Sequence, residues 1–584
     1  TSIEELANLH HIIVERDVPA AMRDGTTLYA DIWRPEGRGP WPVLLIRQPY
    51  DKAHAETFTY AHPSWYARHG YIVVSQDVRG RWSSEGEFYP FRHEAEDGYD
   101  TVEWAAGLSA SNGRVGMYGF SYGGFTQLAA ATVSPPHLTC IVPALVGSQM
   151  YEGWAYNGGA NALAFNLSWT LYLAADTARR KGLAVLREQI EGALRTAQSG
   201  CFWQLPMDEL PLPGLRNIAP YFFDWLAHPS YDEYWRQWSI DEHYDRIGVP
   251  GLHIGGWYDI FRDGVIRNFL GISAHGATDL ARKGQKLVVG PWFHAPWTRT
   301  FGSADFGSEA GNPVDDLQLR WFDYWLSGVK NGVMDEPPVR AFVMGENRWR
   351  WCETWPPASV RPEPVYLHSG GRANSFTGDG FLDTRPPEDE LPDVFVYDPN
   401  APTPSAGGQS CCLPDIVPMG PRDQRNVEIS NQVLVYTTKK LGQPLTIAGP
   451  VAVELFASSS APDTDFTAKL VDVAPEGRAV NITNGILRAK YRDSIEHPAP
   501  IGTDEIIRFT INAGSTAWTF QQRHAIRLEI SSSDFPCWDR NTNTGRNPLA
   551  DRISDLRTAT NTVYHDRLHT SRLILPVQGE ADTT

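Results

Sequence analysis

The fold of this chain is decided by one short stretch, Gly119-Phe120-Ser121-Tyr122-Gly123-Gly124. Residues 113–118 before it can form a short buried strand, and residues 125–131 after it are good helix formers until Pro135 stops them. A G-x-S-x-G pattern also marks simple glycine turns, but a serine on a sharp strand-to-helix turn needs such small neighbours. The helix behind it directs free backbone N–H groups toward developing negative charge. The stretch therefore predicts that Ser121 is a nucleophile.

Two later segments offer the acid and the base that a serine nucleophile needs. Residues 249–259 read as a strand that runs into a Gly-Gly loop and ends at Asp259. Residues 286–294 repeat this pattern and end at His294. Loops beyond the carboxyl ends of the strands build the site of an open α/β sheet, so we expect the three residues to meet at one edge. The chain order Ser, Asp, His is also that of α/β-hydrolases.

Each of these residues also has an ordinary interpretation. An aspartate after a strand is often a turn residue or a helix cap, and most of the 17 histidines must have structural roles. His253, inside an apolar strand, is predicted to be a hydrogen-bonded core residue. Asp259 and His294 stand out because each follows a strand, in the expected order, after the serine turn.

The composition is that of a globular protein with several domains. The length of 584 residues suggests three or four domains, and 42% hydrophobic residues supply several cores. A net charge of −18 argues against nucleic-acid and anionic-membrane partners. The chain has no run of apolar residues long enough to span a membrane and no signal-peptide pattern at its N-terminus, so we expect a cytoplasmic protein.

The six cysteines do not form a disulfide scaffold, and none shows metal-ligand spacing. Cys411 and Cys412 are adjacent, and we expect no bond between them because a vicinal disulfide is strained and rare. The cysteine content therefore fits a reducing cellular compartment better than an oxidising one. The sequence shows no H-E-x-x-H, P-loop or Rossmann motif, so we infer no metal and no cofactor.

The order of the elements predicts an α/β fold in four segments. Residues 1–147 carry the first strands of a hydrolase domain and its serine turn, and residues 243–355 carry the second part of that domain. Residues 148–242 between them are helix-rich, which predicts a helical cap over the site. Residues 356–584 shift to short alternating segments, which predicts a C-terminal β-sandwich.

The sequence resembles the cocaine-esterase-like acyl hydrolases, which are related to α-amino-acid ester hydrolases and X-prolyl dipeptidyl aminopeptidases. The resemblance covers nearly the whole chain. Its markers, besides the serine turn, are Pro49-Tyr50-Asp51-Lys52, Gln76-Asp77-Val78-Arg79-Gly80, Ser84-Glu85-Gly86-Glu87-Phe88, Gly256-Trp257-Tyr258-Asp259, Gly290-Pro291-Trp292-Phe293-His294, residues 463–473 and residues 539–545. The resemblance specifies a jelly roll for the C-terminal β-sandwich.

The resemblance also implies a role for each residue of the site. Ser121 is the nucleophile, His294 is the general base and then acid, and Asp259 orients the imidazole. The oxyanion hole combines the hydroxyl of Tyr50 with the backbone N–H of Tyr122. Without the resemblance, Tyr50 would be read as a half-buried tyrosine at a strand end.

The residues after the catalytic aspartate bear on the substrate. In α-amino-acid ester hydrolases an acidic pair at this place binds the ammonium group of the substrate, whereas this chain has Phe261 and Arg262. A cation repels an ammonium group, so the aminopeptidase-like interpretation is weakened. Arg262 would permit an anionic acyl chain, as in related glutaryl-cephalosporin acylases, or it forms a surface ion pair with Asp263.

Three aromatic residues match those of the cocaine-esterase acyl pocket, namely Phe261, Trp154 and Trp169. A lone tryptophan is by default a core residue, so each of the two tryptophans also has this ordinary interpretation. The jelly-roll segment that gives this pocket bulky apolar residues reads Ser410-Cys411-Cys412-Leu413 here. We therefore expect a wider pocket for an apolar or aryl acyl group, and benzoyl specificity does not carry over.

The sequence thus predicts a serine carboxylesterase that hydrolyses small-molecule esters through an acyl-enzyme and possesses no cofactor. The alternatives are an amidase, acylase or X-prolyl aminopeptidase with the same triad, or a non-catalytic binding protein on a hydrolase scaffold. The aminopeptidase alternative needs an acidic cluster, which could come from Glu152, Asp208, Glu209 or Asp224 in the cap. Members of the family are often dimers, so a homodimer is a further expectation.

Overall fold

A computed structural model describes residues 9–54, 57, 59–412 and 417–579 of the chain. The first eight residues, where the sequence shows no signal-peptide pattern, lie outside these ranges, and so does Leu413. No helix in the described ranges is long and apolar enough to cross a bilayer.

The first three-fifths of the chain contain alternating strands and helices. The strands are β1 Ile12–Ala21, β2 Thr27–Pro35, β3 Trp41–Gln48, β4 Ile72–Asp77, β5 Ser111–Phe120, β6 Leu138–Ala144, β7 Tyr156–Asn157, β8 Ala160–Asn161, β9 Gly251–Gly256, β10 Gln285–Gly290, β11 Thr300–Phe301, β12 Ala304–Asp305, β13 Val339–Val343 and β14 Arg348–Cys352. The helices are α1 Pro63–Arg68, α2 Glu94–Ala106, α3 Tyr122–Thr132, α4 Leu163–Arg180, α5 Ala184–Arg195, α6 Leu215–Ile218, α7 Pro220–Ala227, α8 Glu233–Arg236, α9 Arg262–His275, α10 Asp279–Lys283 and α11 Val314–Ser327.

Ten of these strands form one sheet in the order β1-β2-β4-β3-β5-β6-β9-β10-β13-β14. The seven strands from β4 to β13 along this order are parallel, and the flanking strands are antiparallel. Every residue of β4, β9 and β10 is buried, as expected for strands that are covered on both faces by helices. The α/β fold predicted from the sequence is therefore confirmed.

The sheet brings the carboxyl ends of β5, β9 and β10 to one edge. β9 and β10 pair in parallel with Gly256 opposite Gly290, so the residues that follow each strand leave the sheet side by side. β5 lies one strand beyond β6 in the same sheet and points the same way. The three predicted catalytic residues follow these strand ends, so this arrangement allows them to meet at one edge of the sheet.

His253 on β9 is a structural residue. It is fully buried, and its Nε2 lies 2.8 Å from Oε1 of Gln285 on β10. Burial disfavours the charged imidazole and lowers the pKa of His253 to about 4. The prediction that it is a hydrogen-bonded core residue is confirmed.

A helical segment, called the cap below, separates β6 from β9. It contains the short hairpin β7–β8 and helices α4 to α8. Helix α4 is its main element and buries fourteen of its eighteen residues. The predicted domain limits at 147, 242 and 355 stay predictions, but the cap elements fall between the first two of them.

The rest of the chain, called the β domain below, is rich in strands. These are β15 Val360–His368, β16 Phe381–Asp383, β17 Asp393–Tyr397, β18 Leu434–Thr437, β19 Leu445–Ser459, β20 Asp465–Val473, β21 Ala479–Arg488, β22 Ile507–Phe520, β23 Ala525–Ser531, β24 Ala559–Tyr564 and β25 Arg572–Gln578, with one short helix, α12 Arg425–Glu428. Their pairing is antiparallel except between β16 and β18. A C-terminal β-rich domain is confirmed, and its assignment as a jelly roll stays a prediction.

Candidate active site

Ser121 lies on the turn between β5 and α3. Its backbone has φ 58° and ψ −125°, a conformation that is unfavourable for a residue with a side chain. The N–H of Ser121 donates to the carbonyl of Ala144 at the end of β6, at 2.9 Å. A Cβ on Gly124 would approach Cβ of Val146 to 2.8 Å, so glycine is required there. The sharp turn predicted from the sequence is present, and both packing and the sheet hold the strained serine in place.

His294 and Asp259 form a buried pair beside this turn. Nδ1 of His294 lies 2.7 Å from Oδ1 of Asp259, and the two side chains are 4% and 0% exposed. The other oxygen, Oδ2, accepts the backbone N–H of Phe261 at 3.0 Å. A carboxylate at Nδ1 fixes the proton on that nitrogen, which leaves Nε2 as the basic nitrogen of the neutral ring. The pair is thus arranged to present a base with a defined tautomer.

Ser121 and His294 open into the same cavity, which has a volume of about 360 Å³. This volume suits a small organic molecule. The residues that line it and matter below are Tyr50, Ser121, Trp169, Tyr172, His294 and Cys412. The structure therefore brings the predicted nucleophile and base to one space and places the predicted acid behind the base.

The loop after β3 carries Tyr50 to the rim of this cavity. The N–H of Tyr50 donates to Oε1 of Gln48, and the N–H of Lys52 donates to Oδ1 of Asp77 at 2.7 Å. Burial raises the pKa of Asp77 to about 7. The indole N–H of Trp169 donates to the hydroxyl oxygen of Tyr50 at 2.9 Å. These bonds fix both the loop and the phenol.

Tyr122 contributes its backbone rather than its side chain to the cavity edge. It is the first residue of α3, where a backbone N–H has no acceptor within the helix. Its phenol points into the core, where it accepts the N–H of Phe91 at 2.9 Å and donates to Oε1 of Glu94 at 3.0 Å. The amide of Tyr122 and the hydroxyl of Tyr50 are therefore the two groups that can serve as the predicted oxyanion donors.

The three predicted aromatic pocket residues take two different places. Trp169 lines the cavity directly. Phe261 is 1% exposed and packs against His294, with 5.5 Å between ring centroids. Trp154 stacks on Phe261 at 4.5 Å, so these two rings form a layer behind the base. They cover one side of the imidazole, and of the three rings only Trp169 lines the cavity.

Arg262 is placed differently from the expectation that it binds an anionic acyl group. Its guanidinium is buried against the β domain, where it donates to Oγ1 of Thr483 and to Oδ2 of Asp263, both at 2.8 Å. The ion pair with Asp263 considered from the sequence exists, but the arginine is 4% exposed rather than on the surface. Arg262 is corrected from a substrate ligand to a contact between α9 and the β domain.

The two adjacent cysteines are also placed in part as expected. Cys412 lines the cavity, whereas Cys411 is 1% exposed and packs in the core beneath it. The structure joins their sulfur atoms as a vicinal disulfide, which corrects the expectation that they stay unbonded. Leu413, the next residue of the matched segment, is outside the described ranges.

The four acidic residues of the cap do not converge on the cavity. Glu152 accepts the N–H of Gly158 at 3.0 Å, lines a separate cavity, and has its pKa raised to about 7 by burial. Asp224 accepts the hydroxyl of Tyr89 at 2.7 Å. Asp208 is exposed, and Glu209 forms a surface ion pair. The ammonium-binding cluster that an aminopeptidase would need is not assembled from these residues.

Tyr172 is a cavity residue that the sequence analysis missed. It follows Trp169 by three residues on α4, and such a spacing places two side chains on the same face of a helix. This spacing from Trp169 could have identified Tyr172 as a cavity residue from the sequence. Asp51 also lines the cavity, but its Oδ1 accepts the N–H of Ala53 at 3.0 Å in a local turn.

Comparison with known proteins agrees with this geometry. The family model "X-Pro dipeptidyl-peptidase (S15 family)" matches residues 24–296, and "X-Pro dipeptidyl-peptidase C-terminal non-catalytic domain" matches residues 331–574. A cocaine esterase from Rhodococcus sp. (strain MB1 Bresler) is 36% identical over 97% of this chain and 98% of its own length. The chain belongs to the cocaine-esterase-like S15 family. It is a serine hydrolase.

Two solved structures extend the similarity to the whole fold. An α-amino acid ester hydrolase superposes with a TM-score of 0.78 and 27% identity, covering 97% of both chains. An aminopeptidase from a marine sediment archaeon, Thaumarchaeota archaeon, superposes with a TM-score of 0.80 and 25% identity, covering 98% of this chain and 97% of that one. The fold of this chain is therefore similar both to that of an ester hydrolase and to that of an aminopeptidase.

The two predicted oxyanion donors can be separated by a matched pair of tyrosine variants. We expect Tyr50→Phe to lower kcat by about 10²–10³-fold, because a preorganised donor to the oxyanion is lost. We expect Tyr122→Phe to keep kcat close to wild type and to cost ~1–3 kcal/mol of stability, because its phenol bonds only core groups. Ester hydrolysis and thermal unfolding of the two variants check this. Equal kcat losses in both would refute the assignment of the backbone N–H of Tyr122.

The contact from Trp169 to Tyr50 generates a second prediction. Trp169→Phe keeps an apolar ring but removes the N–H, so we expect kcat to fall about tenfold through looser placement of the phenol. In a Tyr50→Phe background the same change should leave kcat unaltered, because the bond is already absent. The measurement is a double-mutant cycle on kcat and KM. Additive losses in kcat would show that Trp169 acts without Tyr50.

Proposed function

We propose that this enzyme is a carboxylesterase that hydrolyses small-molecule esters through an acyl-enzyme on Ser121. The observation that carries the proposal is the opening of the Ser121 hydroxyl and the His294 imidazole into one aromatic-lined cavity of about 360 Å³. Similarity to a cocaine esterase along the whole chain supports the ester substrate class.

The first half of the reaction forms the acyl-enzyme. Nε2 of His294 takes the proton of the Ser121 hydroxyl as Oγ attacks the ester carbonyl. The negative charge on the carbonyl oxygen receives hydrogen bonds from the backbone N–H of Tyr122 and from the hydroxyl of Tyr50, each worth ~3–4 kcal/mol of barrier. Collapse of the tetrahedral intermediate breaks the ester C–O bond, and the imidazolium gives its proton to the departing alcohol.

The second half returns the enzyme to its starting state. His294 takes a proton from water, which attacks the acyl carbonyl, and the same two donors stabilise the second oxyanion. Asp259 keeps the imidazole oriented and stabilises its positive charge in both halves through the 2.7 Å hydrogen bond. The acid then leaves when the Ser121 oxygen regains its proton.

The cavity favours an apolar acyl group. Trp169 and Tyr172 provide aromatic surface, and the rings of Phe261 and Trp154 close the space behind His294. The guanidinium of Arg262 is held by Thr483 and Asp263, so an anionic acyl chain has no partner there. An apolar or aryl acyl group therefore fits better than the glutaryl alternative. Cytoplasmic location and assembly as a homodimer stay predictions from the sequence.

The proposal is tested by initial rates of wild type and Ser121→Ala on four matched substrates. These are a short aliphatic ester, an aryl ester, a glutaryl amide and an aminoacyl-prolyl amide. We expect cleavage of the esters only, and a loss of at least about 10⁴-fold in kcat for Ser121→Ala with an unchanged unfolding temperature. Preferential cleavage of either amide would favour the acylase or aminopeptidase alternative. If Ser121→Ala hydrolysed the esters at the wild-type rate, Ser121 would not be the nucleophile.

A further inference from the structure

The turn after β4, residues 79–84, lies between the loop of Tyr50 and helix α4 of the cap. The carbonyl of Pro49, directly before Tyr50, accepts two hydrogen bonds from this turn. One comes from Nε of Arg81 and the other from the indole N–H of Trp82, each at 3.1 Å. A peptide carbonyl has two acceptor positions. Both are therefore used at the point where the chain enters the Tyr50 loop.

The guanidinium of Arg81 also reaches α4. Its Nη1 donates to the carbonyl of Leu173 at 2.8 Å and to Oγ1 of Thr177 at 3.2 Å. Leu173 lies about one helical turn after Trp169, whose indole N–H donates to the hydroxyl of Tyr50. The Tyr50 loop and α4 are thus joined at two points, one through Arg81 and one through Trp169.

The turn itself is anchored to both β4 and α4. Asp77 at the end of β4 accepts the N–H of Ser83 at 3.2 Å and, with its other oxygen, the N–H of Lys52 in the Tyr50 loop at 2.7 Å. Nη2 of Arg180 on α4 donates to the carbonyl of Ser84 at 2.7 Å. The turn therefore has a fixed position relative to the elements that it joins.

The buried charge of Arg81 is offset by acceptors on several sides. The residue is 1% exposed, and its Nη2 lies 3.4 Å from Oδ2 of Asp176. Asp176 also pairs with Arg179 at 2.6 Å, so it keeps a cation when Arg81 is replaced. A guanidinium presents five N–H donors in a rigid planar fork, whereas a lysine ammonium is a single compact head. Only the arginine can hold the loop and the helix at a defined separation.

We propose that Arg81 is a positioning residue for hydrolysis, which holds the Tyr50 loop against α4 and thereby places the phenol of Tyr50 as an oxyanion donor. The proposal rests on the proposed function, because it takes Tyr50 as a donor to the oxyanion of the ester. Such a donor stabilises the transition state only when it is aligned before the reaction, so a looser loop lowers kcat more than it weakens substrate binding. Arg81 acts through Pro49 and α4 and is not a catalytic residue.

The experiment is a double-mutant cycle on the full-length protein, with kcat and KM measured for ester hydrolysis. We expect Arg81→Lys to lower kcat about tenfold and to change KM by less than about twofold, because the ammonium cannot bond the loop and the helix together. In a Tyr50→Phe background the same change should lower kcat by less than about twofold, since the hydroxyl through which it acts is absent. Equal losses of kcat in both backgrounds would show a merely structural role and would overturn the proposal.

Arg540→Lys is the matched control. Arg540 is 6% exposed, and its guanidinium joins the carbonyl of Pro399 in the β domain, at 2.8 Å, to that of Trp203 in the cap, at 3.0 Å. We expect this variant to lower the unfolding temperature as Arg81→Lys does but to keep the wild-type kcat. A loss of kcat equal to that of Arg81→Lys would show that any weakened cap contact slows the enzyme, and the proposal would fail.

A second variant acts on the same carbonyl if Arg81→Lys does not fold. Trp82 is half-buried, and Trp82→Phe removes the other donor to Pro49 while it keeps an aromatic ring. We expect kcat to fall about threefold in this variant and to stay unchanged when the substitution is made in Tyr50→Phe. Equal losses in the two backgrounds would again overturn the proposal.

Hydrogen–deuterium exchange separates a failure of this proposal from a failure of the proposed function, because it needs no substrate. We expect faster exchange in the peptide that contains Tyr50 and Lys52 in Arg81→Lys, and wild-type exchange there in Arg540→Lys. Unchanged exchange in Arg81→Lys would overturn the positioning role. A wild-type kcat in Tyr50→Phe alone would instead show that the oxyanion role of Tyr50 in the proposed function is wrong.

Discussion

The hydrogen bond of 2.7 Å between Nδ1 of His294 and Oδ1 of Asp259 is the contact on which the rest of the site depends. It sets the tautomer of the imidazole, and both partners are almost completely buried. Burial makes a charged intermediate costly unless its partner stays in place. Much of the surrounding structure therefore serves to hold these two side chains together.

Three parts of the molecule meet at this pair. The parallel pairing of β9 with β10 places the two loops side by side. The β domain contributes the bridge from Ser410 to Asp259 and the contact from Thr483 to Arg262, which tie the acid loop from outside. The cap contributes Trp154, whose ring supports Phe261 against the imidazole. The β domain thus positions the acid although its own residues lie far from Ser121 in the sequence.

The cap has a second role at the opposite wall of the cavity. Helix α4 places Trp169 on the cavity surface and, through its indole N–H, on the hydroxyl of Tyr50. An indole nitrogen can only donate, so the hydroxyl oxygen of Tyr50 is the acceptor in this bond. One residue of the cap therefore both lines the cavity and contacts Tyr50, the predicted oxyanion donor. A substitution of Trp169 that changes the substrate preference is therefore expected to change kcat as well as KM.

The parts of the site that the sequence predicts are those set by local chain geometry. The strand–serine–helix turn, Asp259 and His294 each follow from a strand end and a loop, and the parallel sheet then brings them together. The place of Tyr50 came from the family resemblance, because nothing local distinguishes it from other tyrosines at strand ends. Arg262 could not be placed from the sequence, since its partner Thr483 is brought to it by packing between domains. Packing also decides that Trp169 lines the cavity and that Trp154 lies behind it, so the sequence alone could not tell the two tryptophans apart.

The central claim is that Ser121 becomes covalently acylated during turnover. The most direct measurement mixes the wild-type enzyme with a slowly hydrolysed aryl ester and follows alcohol release and the intact protein mass within the first turnover. We predict a burst of one equivalent of alcohol, an added mass equal to the acyl group, and its location on the peptide that contains Ser121. Alcohol release without a burst or an adduct, or an adduct on another residue, would contradict the mechanism.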